Sequence, residues 1–320
     1  MSHRILVSDK LSDRGLDVLR QADGFELDYR AGIPADELAD ALQGADGLLV
    51  RSRTKVLREV FAKVPSLKVV GRAGIGVDNI DLVAATDHGV VVMNAPSGNA
   101  LTTAEHTIAM MFALARHIPQ ADASMKAGRW DKKKYMGVEI EDKTLALIGA
   151  GNIGGIVGKK AAALGMRVLA VDPFLTPARA AELGVTVSPL LKAVEAADFI
   201  TVHVPKIPAT TNMINADLLR HAKDGVRILN VARGGIVDEE AVYEALESGK
   251  VAGAAFDVFV TEPPTDRRLA DHPGVVSTPH LGASTFEAQV KVAQAIAEQV
   301  RDFLAGSEPR NCVNPTVFDK

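Results

Sequence analysis

The sequence predicts an α/β protein made of two doubly wound parallel-sheet domains, and three observations carry that prediction. Short, continuously apolar runs alternate with helix-like stretches over the first hundred residues. The same alternation restarts near residue 145. The 320 residues are also roughly two domains' worth at about 150 residues each. Strands that are apolar on both faces and separated by helices belong in a parallel sheet, because crossover helices shield each face from water.

In the first half, strands are expected at 5–7, 47–50, 68–71 and 90–93, and helices near 12–22, 34–43, 55–63 and 80–87. In the second half, strands are expected at 145–148, 168–171, 199–202, 226–229, 254–256 and 275–276. Between the two sets, 100–118 is apolar on nearly all sides, so that helix is expected in the seam between the domains. A capping box, Thr102-x-x-Glu105, and Pro119 bound it. A second helix, with a Ser284-x-x-Glu287 cap, runs to about residue 305 and carries the chain back. The first domain is therefore expected to be discontinuous, 1–98 plus 287–320, around a second domain of 99–286, with a cleft between the two.

Composition narrows the function classes. The 36 basic and 40 acidic side chains leave a net charge of −4, which argues against nucleic acid as a partner. Aromatic residues are only 4%, too few for base-stacking platforms. The single cysteine, Cys312, excludes an internal disulfide and multi-thiolate zinc sites, and no His-Glu-x-x-His spacing occurs, so no metal is expected. No signal-peptide core or membrane-length apolar run occurs, and a cytoplasmic location is expected.

The motif Gly149-Ala-Gly151-Asn152-Ile153-Gly154 follows the expected strand 145–148 and opens a helix. Gly149 would permit a tight turn, Gly151 the close approach of a pyrophosphate, and Gly154 close helix-to-strand packing, with phosphates facing the free N–H groups at the helix start. Alone the motif is equally a βα turn that binds nothing. Asp172 strengthens it: the acid ends the next strand, 23 residues after Gly149, against about 20 expected for a ribose-binding carboxylate. Such a carboxylate accepts from a 2′-hydroxyl and repels a 2′-phosphate, so NAD is preferred to NADP, with Arg179 the one nearby reservation. A second glycine turn, Gly71-Arg72-Ala-Gly74-Ile75-Gly76, has the wrong spacing for a dinucleotide and is either a plain loop or a backbone anion site.

Three polar residues just past expected strands of the second half are candidates for chemistry: Arg233, Glu262 and His280. A guanidinium meets a carboxylate through two parallel N–H groups, so Arg233 suits a substrate clamp. Imidazole as a group titrates near neutrality, so a histidine at 280 can take a hydroxyl proton if a neighbouring carboxylate holds its tautomer, a role open to Glu262. Each residue singly has a bland reading as an exposed Arg, a turn Glu or a loop His; their shared sheet edge favours the site. His106 and His117, on the seam helix, are read as packing or capping residues. Ser52-x-x-Lys55 matches an acyl-transfer motif without its companion motifs and is set aside.

Taken together, these motifs and Val50-Arg51-Ser-Arg53-Thr-Lys-Val56, Val70-Gly-Arg72-Ala-Gly74-Ile75-Gly-Val-Asp-Asn79, Thr103-Ala-Glu-His106, Asn230-Val-Ala-Arg233-Gly-Gly-Ile-Val-Asp238, Ala255-Phe-Asp257-Val-Phe259, Glu262-Pro-Pro264 and Pro279-His280-Leu-Gly-Ala-Ser284 resemble the D-isomer-specific 2-hydroxyacid dehydrogenases over essentially the whole chain. The resemblance implies a flavodoxin-like substrate domain and a Rossmann NAD domain. It implies that Arg233 binds the 2-hydroxy carboxylate, His280 is the acid/base, Glu262 pairs with it and Asp257 orients the nicotinamide carboxamide. Backbone around Gly74 and Ile75 would hold the carboxylate, and Arg51 and Arg72 a substrate phosphate. The Lys132-Lys133-Lys134 run would reach across a homodimer formed through the NAD domain, or be a solvated basic face. The implied activity is NAD-dependent oxidation of 3-phosphoglycerate at C2, the first step of serine synthesis. Glyoxylate, hydroxypyruvate or sulfolactate enzymes and an NADH-sensing corepressor remain alternatives. Many family members carry a C-terminal regulatory domain after the return helix; this sequence ends at Lys320, which leaves serine feedback through such a domain in doubt.

Overall fold

The structure, a computed structural model, describes residues 2–96 and 98–319. Ser97 lies outside the described residues, as do Met1 and Lys320, the outer ends of the expected first domain. The chain divides into two compact units, Met1–Asn99 with Ser284–Lys320, and Ala100–Ala283.

The first unit opens with β1 (His3–Val7), α1 (Asp13–Arg20), β2 (Phe25–Tyr29), α2 (Leu38–Ala41), β3 (Gly47–Val50), α3 (Arg58–Lys63), β4 (Val69–Arg72), α4 (Leu82–Asp87) and β5 (Val91–Asn94). Its parallel sheet has the order β2-β1-β3-β4-β5, that of flavodoxin-like folds. Helices cover both faces, so Ile5, Leu6 and Val7 are all fully buried although they point alternately to opposite sides. The sequence reading passes over β2. Its Phe-Glu-Leu-Asp-Tyr alternates where the central strands are continuously apolar, because an edge strand keeps one side partly wet.

The second unit holds α5 (Ala100–Arg116), α6 (Ile118–Lys126), β6 (Thr144–Ile148), α7 (Asn152–Ala163), β7 (Arg167–Val171), α8 (Pro177–Leu183), β8 (Thr186–Val187), α9 (Leu190–Ala196), β9 (Phe199–Val202), α10 (Ala216–His221), β10 (Val226–Asn230), α11 (Glu239–Glu247), β11 (Val251–Phe256) and β12 (Val275–Ser277). The sheet order β12-β11-β10-β9-β6-β7-β8 is the Rossmann order with a seventh strand added at one edge. The switch point falls between β6 and β9, beside the turn that follows β6. Every strand pair in both sheets is parallel, as the continuous apolar runs require.

Three details correct the sequence reading. Helix α5 begins at Ala100, so Thr102 and Glu105 lie inside its first turns instead of capping it. It also keeps a wet stripe, Leu101, Glu105, Ala109 and Arg116, while Ala104, Met111, Leu114 and Ala115 enter the core over the sheet. Pro119 does not simply end structure. His117 takes a left-handed conformation with φ of 54°, and α6 starts anew with the proline in its first turn, where no helical N–H is lost.

The last helix, α12 (Phe286–Leu304), belongs to the first unit. Its cap is Thr285, whose Oγ1 accepts from the Ala288 N–H at 3.2 Å, one residue later than the expected Ser284. It crosses α1 at Gly15, where an added Cβ would sit 2.5 Å from Ala293 Cβ. Beyond it, Val313 N–H bonds the Val92 carbonyl, and the Asn314 amide closes onto Val90, Val92 and Thr86, sealing the outer side of β5.

Candidate active site

The turn after β6 is shaped by what cannot fit there. Gly149 has a φ of +89°, and a Cβ on it would meet the His203 carbonyl oxygen at 2.6 Å; at Gly154 it would meet the Gly149 oxygen at 1.9 Å. At Gly151, the residue before α7, nothing lies within 4 Å. The turn is closed where backbone must touch backbone and open where a ligand would approach. The N–H groups of Asn152, Ile153 and Gly154 lie in the first turn of α7, where a helix supplies them no acceptor.

Asp172, just past β7, ties itself to this turn. Its Oδ2 accepts from Ala150 N–H and its Oδ1 from Phe174 N–H, each at 2.8 Å. Each oxygen keeps a second lone pair, enough for a pair of ribose hydroxyls. Arg179 is committed elsewhere, paired with Glu182 at 2.6 Å on α8. Beside the turn, the His203 ring bonds Thr201 Oγ1 through Nε2 at 3.0 Å, while its buried Nδ1 has no partner among the described residues. Burial pushes this imidazole down to about 4, so it is neutral at physiological pH. These residues fit a dinucleotide: the pyrophosphate at the open glycine and helix start, the adenosine ribose at Asp172.

Strands β10, β11 and β12 are neighbours, and the loops leaving them carry the three polar candidates. His280 Nδ1 and Glu262 Oε2 are 2.7 Å apart, and Glu262 Oε1 accepts from the Phe259 N–H at 3.1 Å. Burial pushes the Glu262 carboxyl up, but the His280 hydrogen bond, the His280 charge and the Phe259 N–H outweigh it, leaving it below the ordinary carboxylate range. Arg233 is placed by the same frame. Its carbonyl accepts from Asn230 Nδ2 at 3.0 Å, and a Cβ on the next residue, Gly234, would lie 2.0 Å from the Phe259 oxygen. The Arg233 loop and the loop leading to Glu262 are therefore in backbone contact. With Nδ1–H donated to Glu262, His280 presents Nε2 as a proton acceptor.

Asp257 is only 1% exposed, and its carboxylate is heavily engaged. Oδ1 accepts from Thr278 Oγ1 at 2.5 Å and Leu281 N–H at 2.7 Å, and Oδ2 from Gly282 N–H at 2.8 Å. Burial pushes this carboxyl up; the His106, Thr278, Leu281 and Gly282 bonds together bring it down further, and it is ionised. His106 is more than a packing residue, since its Nε2 lies 3.1 Å from Thr278 Oγ1 and 3.3 Å from Asp257 Oδ1. Sequence reasoning missed this contact because the two residues are 151 positions apart and share no motif.

In the first unit, Arg51 follows β3 and Arg72 ends β4. Arg72 Nε bonds the Arg51 carbonyl at 3.3 Å, and Asn79 Nδ2 bonds the same carbonyl at 3.0 Å. Buried Asp9 fixes the loop by accepting from Arg51 N–H at 2.6 Å and Thr54 Oγ1 at 2.7 Å. A pocket of about 340 Å³ opens here between Asp9, Lys10, Gly32, Arg51, Ser52 and Arg53. Arg53 and Lys10 were not singled out in the sequence; the Arg-Ser-Arg repeat was the available signal. Gly74 turns its N–H onto the Arg72 carbonyl, and the Ile75 carbonyl accepts from Asn94 Nδ2 at 2.6 Å. Lys132, Lys133 and Lys134 form an exposed single 3₁₀ turn in the second unit.

Residues 108–282 match the family model described as D-isomer specific 2-hydroxyacid dehydrogenase, NAD binding domain. The chain is 50% identical over 317 residues to D-3-phosphoglycerate dehydrogenase of Bacillus subtilis (strain 168), covering 99% of this chain and 60% of that one. It is 49% identical over 311 residues to the Rattus norvegicus enzyme of that name, covering 97% and 58%. The chain thus spans about 60% of the length of these relatives. Among solved structures, the TT0316 protein from Thermus thermophilus superposes with a TM-score of 0.89 at 34% identity, covering 97% of this chain and 99% of that one. No helix of the described residues is long and apolar enough to cross a membrane. A Rossmann unit whose glycine turn and acid suit a dinucleotide, matched by the family's NAD-binding domain, and relatives that align with nearly all of the chain place it in the D-isomer specific 2-hydroxyacid dehydrogenase family.

Proposed function

We propose that this chain oxidises D-3-phosphoglycerate to 3-phosphohydroxypyruvate with NAD. The observation that carries the reading is the 2.7 Å His280–Glu262 pair, formed between two loops next to that of Arg233, at the strand ends of a dinucleotide-binding unit. The chemistry that NAD would supply when bound is a hydride acceptor for C2. Arg233 binds the substrate carboxylate through its two N–H edges. His280 Nε2 takes the C2 hydroxyl proton, and Glu262 holds the ring in that tautomer and faces the imidazolium as it forms. Asn152, Ile153 and Gly154 hold the pyrophosphate, Asp172 the ribose, and Asp257 the nicotinamide end, directly or through its loop. In the first unit, backbone near Gly74 and Ile75 assists the carboxylate, and Arg51, Arg72 and Arg53 recognise the phosphate.

The names of the Bacillus and rat relatives support the phosphorylated substrate. The cationic pocket at Arg51 and Arg53 supports it independently. We also read the chain as a homodimer through the second unit, where Trp130 and Met136 are 79% and 81% exposed on the segment after α6. A single cysteine and a nucleotide cofactor suit the cytoplasm.

The test is the ultraviolet absorbance of NADH when the purified chain meets NAD and D-3-phosphoglycerate, with NADP in parallel. NADH is expected to form. Arg51→Ala should lower kcat/KM for phosphoglycerate by at least about tenfold while changing hydroxypyruvate reduction by less than about threefold. Equal losses on both substrates would point to an unphosphorylated acid.

A further inference from the structure

We propose that His106 is a positioning residue for His280, acting from α5 through Asp257 and Thr278; the proposal rests on the acid/base reading of His280. His280 needs unusual support. It has a φ of +56°, in the left-handed region that costs a non-glycine residue free energy and persists only where surrounding bonds impose it.

Those bonds converge on one aspartate. Asp257 takes the His280 N–H on its backbone carbonyl at 2.9 Å, and its carboxylate takes Leu281 N–H and Gly282 N–H on one side of His280 and the Thr278 hydroxyl on the other. The loop bearing the imidazole is thus clamped at 278, 280, 281 and 282 by a single residue.

The clamp needs His106. The Thr278 hydroxyl has one proton and gives it to Asp257 Oδ1, so its lone pairs face the His106 Nε2–H at 3.1 Å. The same Nε2 lies 3.3 Å from Asp257 Oδ1, closing a three-membered ring of donors and acceptors. Asp257 is buried, and of the partners of its carboxylate named here only His106 comes from outside the 278–282 loop. The other titratable groups of this neighbourhood, Glu262 and His280, face one another. His106 sits on a long helix packed over the sheet, which gives the clamp a rigid anchor outside the loop it holds. Its role is to keep Asp257 and Thr278 in register so that the 278–282 loop holds His280 against Glu262.

The test uses His106→Leu, which removes the donor, and His106→Gln, which can return an N–H, each alone and in a His280→Asn background. Turnover is measured with phosphoglycerate and NAD and with hydroxypyruvate and NADH, NAD affinity by protein fluorescence, and amide exchange at Leu281 and Gly282 on the free protein. Expected for His106→Leu are a loss in kcat of about tenfold or more, NAD affinity within about threefold, faster exchange at Leu281 and Gly282, and no further kcat loss when His280 is already Asn. His106→Gln should recover most of the turnover. Unchanged kcat and exchange in His106→Leu would overturn the proposal, as would the same fold loss with and without His280, which is the mark of a merely structural residue. If His106→Leu fails to fold, the Gln variant decides: loss of turnover with His280-independent additivity overturns it, and retained turnover with protected Leu281 and Gly282 supports it. A wild-type chain with no turnover on either substrate pair refutes the functional reading, and this proposal with it.

Discussion

His280 Nδ1 lies 2.7 Å from Glu262 Oε2, and the second Glu262 oxygen is held by the Phe259 N–H, so the carboxylate cannot swing away without losing two partners. The imidazole is thereby fixed in both orientation and tautomer, and the ring nitrogen not engaged by Glu262 is Nε2.

Glu262→Gln tests that pairing. The amide keeps the shape but can present its NH₂ to Nδ1, favouring the wrong tautomer, so kcat should fall by roughly 10- to 100-fold with KM for the acid changed less than about threefold. The carboxyl is held below its ordinary 4.5, chiefly against burial, by the His280 bond. A depressed folded value means that the pairing is fully present above 4.5 and is lost only as pH falls through the lower folded value. Ring resonances of His280 should therefore keep their paired signature from neutral pH down to 4.5 in the wild type and lack it at every pH in the variant. A variant with wild-type kcat would show that the contact is incidental.

The glycine turn makes a paired prediction. An alanine at 154 drives its Cβ to 1.9 Å from the Gly149 oxygen, a backbone atom with no room to move, so Gly154→Ala should destabilise the fold by about 2 kcal/mol or more in urea unfolding. An alanine at 151 meets nothing within 4 Å, so Gly151→Ala should unfold like the wild type yet bind NAD at least about tenfold more weakly, because the methyl occupies the pyrophosphate approach. Equal NAD affinity in Gly151→Ala would remove the turn from the cofactor site.

How much of this was readable in the sequence differs between the strands and the contacts. Central strands such as β6 and β9 were legible because burial on both faces leaves them apolar but for one threonine each, whereas β2 alternates and β8 is two exposed residues at an edge. The Gly149 turn and Asp172 were legible because the dinucleotide-binding fingerprint has a fixed spacing. His280 and Glu262 were legible as candidates, since each follows a strand, but their contact joins two loops 18 residues apart with β12 between them, and no periodicity encodes it. His106 was illegible as a partner of Asp257, because a half-buried helical histidine reads as packing until the opposite strand end is placed. Cap positions shifted by one to a few residues, as at Thr285, because Ser284-Thr285 offers two equivalent hydroxyls and only the helix geometry chooses.

Asp9 links stability to the proposed phosphate-binding role of Arg51 and Arg53 in the first unit. It is buried and accepts from Arg51 N–H, Thr54 N–H and Thr54 Oγ1, so Asp9→Ala strands three donors at once. A loss of about 2 to 4 kcal/mol in unfolding free energy is expected. The loop that carries Arg51 and Arg53 would loosen with it, raising KM for phosphoglycerate more than KM for hydroxypyruvate. Unfolding and steady-state kinetics on the same preparation check both halves, and an unshifted urea midpoint would contradict the first.

His203 gives the sharpest pH signature. Its imidazole is pushed from 6.5 down to about 4 by burial, with Nδ1 unpartnered among the described residues and Nε2 on Thr201. Because the folded value lies below the unfolded one, the unfolded chain takes up the proton first as pH falls, so stability is undiminished above 6.5 and declines between 6.5 and about 4. The decline from this one group should reach about 2 kcal/mol at pH 5 and about 3 kcal/mol near pH 4. Carboxylates add their own losses at the acid end, so the quantity to read is the difference between wild type and His203→Leu. The variant starts lower at neutral pH, having lost the Thr201 bond, but the two urea midpoints should converge as pH is lowered from 7 to 5. Parallel curves would mean that the ring is hydrated, or protonated, in the folded protein.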